Sequence, residues 1–169
     1  MPMDKWDACA FPVQPDELKG RVCYGGLDLS STTDITAFVL VFPPQDEADN
    51  YVVLPYFWIP EENVSLRVRR DHVPYDVWQK QGFLHTTEGN VVHYDYIEKF
   101  IETMGEQYNI REIAFDRWGA VQMVQNLEGM GFTVVPFGQG FKDMSPPTKE
   151  LMKLTLEKKI AHGGYPVLR

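Results

Sequence analysis

The sequence predicts an α/β fold with a mixed sheet, in which an antiparallel meander of three strands is extended by parallel strands and flanked by helices. Three apolar, strand-like segments come first and are joined by short or polar connections, which allows them to pair antiparallel. Strand-like and helical segments then alternate, as is typical of parallel pairing. The 169 residues, 44% of them hydrophobic, are enough for one domain with one core.

The first three strands are predicted at residues 22–29, 35–42 and 51–58, which are apolar or alternate between apolar and polar residues. The short connection 30–34 and the polar connection 43–50 suit an antiparallel meander. Residues 61–81 are charged and weakly amphipathic, and Pro74 divides them into two short predicted helices.

The later elements are predicted from spacing and capping residues. Asp95 is the expected N-cap of a helix with apolar residues at helical spacing, namely Ile97, Phe100, Ile101, Met104 and Tyr108. A buried strand at 113–115 then ends in Asp116, and the next helix stops at Gly129 or Gly131. A strand at 132–137 and a helix with Ser145 as N-cap, before Pro146, complete the order.

The formal net charge of -8 argues against an autonomous, tight DNA binder, because DNA affinity comes from neutralising phosphates with Lys and Arg. Carboxylates that hold divalent cations are compatible with this charge, since another domain can deliver the DNA. Cys9 and Cys23 lack metal-ligand spacing and are interpreted as buried or free thiols. No apolar run approaches the roughly 20 residues of a membrane span, and no secretion signal is present, so an intracellular protein without membrane contact is expected.

The most informative stretch is residues 25–34, because it places the carboxylate of Asp28 in an otherwise apolar first strand. Burying an ionised carboxylate is costly unless a cation or hydrogen bonds compensate it. Asp28 therefore either binds a metal ion or caps the following turn through the N–H groups of Ser30 and Ser31, and one residue does not decide between the two.

Asp116 repeats the pattern at the end of strand 113–115, where the alternative is an N-cap for the helix that begins near Ala120. Two neighbouring strands that each end in Asp can direct both carboxylates to one point. Such oxygen ligands suit Mg²⁺ or Mn²⁺, and two ions about 3.5 to 4 Å apart can promote phosphodiester cleavage.

Four segments, in order along nearly the whole chain, resemble the nuclease half of the large terminase subunits of tailed bacteriophages and prophages. They are residues 26–34 (GLDLSSTTD), 113–118 (IAFDRW), 135–140 (VPFGQG) and 159–164 (KIAHGG). The resemblance implies a ribonuclease H-like fold. It also implies a metal-dependent endonuclease, with Asp28 and Asp116 as catalytic metal ligands, that cuts concatemeric double-stranded DNA in the cytoplasm of the bacterial host.

In that family an N-terminal packaging ATPase precedes the nuclease, and the small terminase subunit and the portal are partners. The sequence has no G-x-x-x-x-G-K-[ST] loop for nucleotide phosphates. Residues 1–20 are therefore interpreted as a linker segment from an absent ATPase domain, which packs over or leads into a nuclease domain at 21–169.

The resemblance further implies a third acidic ligand on a late helix, beyond the segment that matches residues 162–169. We therefore expect this ligand to be missing from the chain, the domain to be truncated at its C-terminus, and the site to bind metal weakly and to cut poorly. Asp34 and Asp143 are the nearest substitutes, but Asp34 is better explained as a turn residue and Asp143 carries no motif of its own.

Arg117 adjoins a proposed ligand, and Lys142, Lys149 and Lys153 cluster around the last loop and helix, where they suit contacts with DNA phosphates. Scattered lysines on a helix are more often its solvated face. The densest basic run, which consists of Arg67, Arg69 and Arg70, has nearby acidic residues with which it can pair instead, namely Glu61, Glu62 and Asp71.

Two other classes of protein remain open. The actin and sugar-kinase group also has a Gly-x-Asp first strand, but it needs a second glycine-rich phosphate loop, whereas bulky Arg117 and Trp118 follow Asp116. A noncatalytic ribonuclease H-like module for docking or assembly, with the acidic residues as caps, agrees with the net charge of -8.

Overall fold

One mixed sheet with helices on both faces organises the chain. The structure is a computed structural model that describes residues 1–30, 32–116 and 120–169. Its strands are β1 (Val22–Asp28), β2 (Thr36–Phe42), β3 (Tyr51–Pro60), β4 (His85–Thr87), β5 (Asn109–Asp116), β6 (Val134–Phe137) and β7 (Ile160–Ala161). Its α-helices are α1 (Met3–Asp7), α2 (Val64–Asp71), α3 (Tyr75–Lys80), α4 (Tyr94–Gln107), α5 (Val121–Gly129) and α6 (Phe141–Leu156). Short 3₁₀ helices cover Pro15–Leu18, Glu61–Asn63 and Pro166–Leu168.

The strand order is β4-β3-β2-β1-β5-β6, and β7 pairs with the free part of the β3 edge. The β1–β2 and β2–β3 pairs are antiparallel, whereas β1–β5, β5–β6, β3–β4 and β3–β7 are parallel. The predicted fold class, an antiparallel meander extended by parallel strands, is therefore confirmed. Parallel pairing requires long crossover connections, which α4 and α5 provide on either side of β5 in sequence.

The main hydrophobic core lies on one face of the sheet, beneath α4 and α5. Burial alternates strictly along β2, where every second residue from Thr36 to Phe42 is buried. These residues face the core because successive side chains of a strand point to opposite faces of the sheet. The core combines strand residues with the apolar stripes of the two helices, and its largest fully buried members include Trp58, Phe38, Phe42, Ile97, Ile101 and Met123. Ile97, Ile101 and Met104 therefore have the helical core role that their spacing predicts.

A smaller core covers part of the opposite face. It joins Phe57 and Ile59 of β3 to Val64 and Tyr75 of α2 and α3 and to Leu84. The 3₁₀ helix Pro166–Leu168 packs against the same cluster through Val167 and Leu168. Elsewhere on this face α6 borders the sheet across an open cleft, so that the ends of β1 and β5 are not covered by a packed core.

The first and last segments of the chain bind each other in what we call the terminal clamp, formed by residues 6–11 and 155–169. Trp6 stacks on His162 with ring centroids 4.2 Å apart, and Nε2 of His162 bonds the Trp6 carbonyl oxygen at 2.8 Å. The Arg169 guanidinium donates to both carboxylate oxygens of Asp7, at 3.0 and 3.1 Å. The amides of His162 and Gly163 donate to the carbonyls of Cys9 and Phe11, so residues 6–11 pack on the last segment of the chain.

Two helix starts differ from prediction. The last helix begins at Phe141 instead of Pro146, because the amides of Asp143 and Met144 already bond the Gly140 carbonyl; Ser145 is thus an internal residue. Pro146 and Pro147 lie inside this helix, beyond its first turn, and each lacks the N–H that would bond the carbonyl four residues before it. The N-cap of α4 is His93 instead of Asp95, which lies in the first turn, where a carboxylate still favours the helix dipole.

The remaining predictions concern elements and thiols. Pro74 separates α2 from α3, and α5 ends at Gly129, as predicted. Cys9 and Cys23 are both buried and free, which confirms their interpretation as ordinary thiols. Among the described residues, no helix is long and apolar enough to cross a membrane.

Candidate metal site at the ends of two parallel strands

Asp28 and Asp116 lie side by side at the carboxyl ends of β1 and β5. In this parallel pair Gly26 is level with Ala114 and Leu27 with Phe115, so the next residues along the two strands are the two acids. Neighbouring strands are about 4.8 Å apart, and residues at the same level direct their side chains to the same face. The sheet therefore brings together the two carboxylates that the sequence singled out.

The two acids lie in a cleft of about 410 Å³ between the sheet and α6. The strand register determines which residues form the floor of this cleft. On β2, Ala37 is level with Asp28, and on β6, Phe137 is level with Asp116. The remaining lining residues are mostly apolar and include Val39, Ala114, Gln139, Met144, Pro147, Thr148 and Leu151. A Cβ atom built on Gly26 meets no atom within 4 Å, so this glycine leaves room beside Asp28.

The electrostatics of the cleft favour a cation. The pKa of Asp28 is raised, first because neighbouring atoms displace water from its carboxylate and then because the charges of Asp116 and Asp34 repel its own. Its side chain is nevertheless exposed to solvent at the mouth of the cleft, which leaves room for an incoming ligand. A group held in excess negative charge gains more from a bound cation than an isolated surface carboxylate does.

The capping alternatives for the two acids involve residues that lie partly outside the described ranges. The Ser30 amide donates to Thr36 Oγ1 at 3.0 Å, and Ser31 lies outside the described residues. The N-cap of α5 is Ala120, which makes no side-chain capping hydrogen bond.

A further acidic residue, Asp34, lies within electrostatic range of Asp28. Its amide donates to Ser30 Oγ at 3.0 Å, which agrees with its interpretation as a turn residue. Asp143 is exposed on the first turn of α6 and does not line the cleft. Within ranges 1–30, 32–116 and 120–169, no three His, Cys, Asp or Glu side chains form a group that is able to hold a metal ion.

The sequence did not identify Arg67 as part of this region. Its side chain is only 3% exposed, and Nη2 donates to the carbonyl oxygens of Thr32 at 2.8 Å and Asp34 at 3.3 Å. The predicted pairing of the basic run is found at Arg70, whose guanidinium binds Asp71. No spacing or motif signals Arg67, because its contacts join segments 33 and 35 residues apart.

Three of the four basic residues predicted to contact DNA lie on α6. Lys142, Lys149 and Lys153 are exposed and recur at intervals of seven and four, which places them on one stripe of the helix. At about 3.6 residues per turn, that stripe lies on the side of the helix opposite Met144, Thr148 and Leu151, which line the cleft. Lys153 also lies in a groove with acidic neighbours, including Glu150 and Glu157. The fourth, Arg117, lies outside the described residues.

The mixed sheet, with carboxylates at the ends of two adjacent strands, defines a nuclease domain of ribonuclease H-like fold. The family model described as "Terminase large subunit, endonuclease domain" matches residues 1–169, and the chain belongs to this family. The family resemblance stated from the four sequence segments is thereby confirmed. The nucleotide-binding alternative of the actin and sugar-kinase group loses its support.

Comparisons with individual proteins agree with this family assignment. The chain is 38% identical over 168 residues to the large terminase subunit of Enterobacteria phage HK97, covering 96% of this chain and 32% of that protein. It superposes on the crystal structure of the HK97 large terminase with a TM-score of 0.83 and 35% identity, covering 99% of this chain and 34% of the other. The chain thus spans about a third of the length of these relatives.

A more distant structure shows the same fold. The Mn-soaked nuclease domain of the human cytomegalovirus terminase superposes with a TM-score of 0.51 and 8% identity, over 98% of this chain and 77% of that one.

Proposed function

We propose that the chain is a metal-dependent endonuclease that hydrolyses double-stranded DNA, with Asp28 and Asp116 as metal ligands. The observation that carries the proposal is the register of β1 and β5, which makes the two acids neighbours at an open cleft. The raised pKa of Asp28 supports it, because part of the negative charge there lacks compensation.

The donor set suits a hard divalent cation, Mg²⁺ or Mn²⁺, since carboxylate oxygens are the ligands these ions prefer. When bound, such a cation supplies Lewis-acid stabilisation of the negative charge that develops as a phosphodiester is cleaved. The two carboxylates would hold and orient the cation, and the open cleft between α6 and the sheet would leave it accessible to substrate. The two-metal arrangement of the family needs a further acidic ligand, so we propose that these residues alone bind metal weakly and cut slowly.

Contacts with DNA are assigned by charge and position. Lys142 and Lys149 are exposed on the side of α6 that faces away from the cleft, where their ammonium groups are able to hold phosphates at a distance from the cut. Lys153 is the weaker member because of its acidic neighbours, and Arg117 completes the proposed set. With a net charge of -8, the chain depends on another region of the packaging machinery to bring DNA to the cleft.

We also propose the biological setting from the relatives. The HK97 protein is a large terminase subunit about three times as long as the matched region. A packaging ATPase domain, the small terminase subunit and the portal are the proposed partners, concatemeric phage or prophage DNA is the substrate, and the host cytoplasm is the location.

The test is nicking of supercoiled plasmid in the presence of Mn²⁺ or Mg²⁺, with EDTA as the metal-free reference. The chain itself is expected to nick slowly, and Asp28→Asn and Asp116→Asn to reduce the rate by at least about a hundredfold while far-UV circular dichroism stays unchanged. Asp143→Asn is the matched control, since this acid lies outside the cleft. Nicking that survives Asp28→Asn, or that is lost equally in Asp143→Asn, would contradict the proposal.

A noncatalytic docking module is the second candidate. It is favoured by the apolar lining of the cleft and by the lack of a three-acid cluster among the residues that the structure describes. Under this alternative the chain neither nicks DNA nor gains thermal stability from Mn²⁺. Either response to the metal would exclude it.

A further inference from the structure

Arg67 is a buried cation whose hydrogen bonds do not serve its own helix. It lies in the middle of α2 and is 3% exposed, whereas Arg69 and Arg70 on the same helix are exposed. Burying a guanidinium is costly unless its donors are satisfied. Nη2 of Arg67 donates to the carbonyls of Thr32 and Asp34, at 2.8 and 3.3 Å.

These two carbonyls belong to the connection that follows Asp28. The start of this connection is fixed separately, because Thr36 Oγ1 accepts a hydrogen bond from the Ser30 amide at 3.0 Å and donates to the Ser30 carbonyl at 2.8 Å. Thr36 is fully buried, so this bond pair anchors the connection to the sheet. Arg67 anchors the other part through Thr32 and Asp34, which belong to no strand.

The two anchors together set the position of Asp34 relative to Asp28. The Asp34 amide also donates to Ser30 Oγ at 3.0 Å, and the bonds from Arg67 add a second restraint on Asp34 that comes from another element. The carbonyls that Arg67 binds lie on Asp34 itself and on the residue two positions before it. Charged hydrogen-bond donors hold carbonyls more strongly than neutral donors do, which suits a permanent tether.

We propose that Arg67 is a positioning residue of the metal site, which tethers residues 32–34 so that Asp34 keeps its position relative to Asp28 before metal binds. The inference rests on the proposed function for its metal-binding consequence, while the tether itself is a property of the chain alone. Groups that orient metal ligands from behind commonly change metal affinity by about 10- to 100-fold when they are removed.

The test compares Arg67→Met, which keeps an apolar stem without donors, and Arg67→Lys, which keeps one charged donor. Arg69→Met is the matched control on the exposed side of the same helix. The first readout is amide hydrogen exchange at Asp34, whose N–H donates to Ser30 Oγ, measured by nuclear magnetic resonance on the whole 169-residue chain. The second is the Mn²⁺ concentration that gives half of the maximal rise in melting temperature.

Arg67→Met is expected to accelerate exchange at Asp34 and to raise the half-maximal Mn²⁺ concentration, each by at least about tenfold. Arg67→Lys is expected to change the exchange rate and the half-maximal Mn²⁺ concentration less than Arg67→Met does. Arg69→Met is expected to change neither quantity. Should Arg67→Met fail to fold, Arg67→Lys carries both measurements.

Exchange at Asp34 that stays at the parent rate in the Arg67 variants would overturn the tether. Faster exchange with an unchanged Mn²⁺ requirement would overturn the role in metal binding. A parent chain without any Mn²⁺ response would instead count against the proposed function, and the exchange measurement would still decide whether Arg67 holds residues 32–34.

Discussion

Replacing Asp28 with Asn removes one of two neighbouring negative charges and preserves the shape of the side chain. The β1–β5 register sets the two acids one strand spacing apart on one face. Unit charges about 5 Å apart repel by about 1 kcal/mol in bulk water and by about 3 kcal/mol at an effective dielectric constant near 20. Because Asp28 is exposed, the lower figure applies. Asp28→Asn is therefore expected to stabilise the metal-free protein by about 1 kcal/mol, which raises Tm by about 2 to 4 °C.

The pH dependence of this gain follows from the raised pKa of Asp28. The folded chain keeps the Asp28 proton to higher pH than the unfolded chain, in which the carboxyl ionises near its ordinary pKa of 3.8. As pH rises from 3.8 through the folded-state pKa, the folded state loses stability relative to the unfolded state. The gain from Asp28→Asn should therefore be absent in strong acid and complete at neutral pH.

Calorimetry in EDTA and in saturating Mn²⁺ provides the assay. A ligand at a hundred times its Kd adds about 2.7 kcal/mol to the stability of the folded state. We expect that gain in the parent and not in Asp28→Asn, so the order of melting temperatures reverses when metal is added. Asp143→Asn should stay within about 0.5 kcal/mol of the parent and keep its metal response.

Two results would refute the reasoning. If Asp28→Asn melts below the parent in EDTA at neutral pH, the carboxylate makes a stabilising contact and the repulsion argument is wrong. If Mn²⁺ stabilises the variant as much as the parent, Asp28 does not hold the ion.

Three further predictions concern packing and the thiols. A Cβ atom on Gly25 lies 3.0 Å from the Phe38 ring, whereas one on Gly26 meets nothing within 4 Å. Gly25→Ala should therefore lower the free energy of unfolding by about 1 kcal/mol, and Gly26→Ala should not. Urea titration compares the two variants, and equal losses would contradict the packing argument. Burial raises the pKa of Cys23 to about 12, so its thiol should react with a maleimide only after unfolding; rapid labelling of the native chain would be inconsistent with this burial. His162→Ala removes the stacked ring from the terminal clamp and should lower the free energy of unfolding by about 2 to 4 kcal/mol. It should also expose residues 6–11 to limited proteolysis. Unchanged protection from the protease would show that the other contacts of the clamp suffice.

Most of the fold could be predicted because the long elements carry their own periodicity. The alternating burial of β2 and the apolar stripe of α4 are visible as patterns in the sequence. The three-residue β4 and the two-residue β7 were not predicted, since segments this short have no period of their own. They are strands only because they pair with the β3 edge, which is a tertiary effect.

The candidate site also has one part that could be predicted from the sequence and one part that could not. That Asp28 and Asp116 converge could be predicted, because a carboxylate at the end of an apolar strand is a local signal and parallel neighbours bring such ends together. Arg67 could not be found by this reasoning, since an Arg in a charged segment usually belongs to a solvated face. Its burial depends on how α2 packs against the sheet, which no local pattern reports.

The terminal clamp also constrains how the chain folds during its synthesis. The groups that bind residues 6–11 belong to residues 155–169, with separations such as 146, 156 and 162 positions in the sequence. The ribosome synthesises residues 6–11 long before residues 155–169. Residues 6–11 therefore lack these partners until nearly the whole domain has emerged. Contacts this distant in sequence also slow folding, because a long loop must close before they form. The clamp is therefore expected to be the last part of the domain to form.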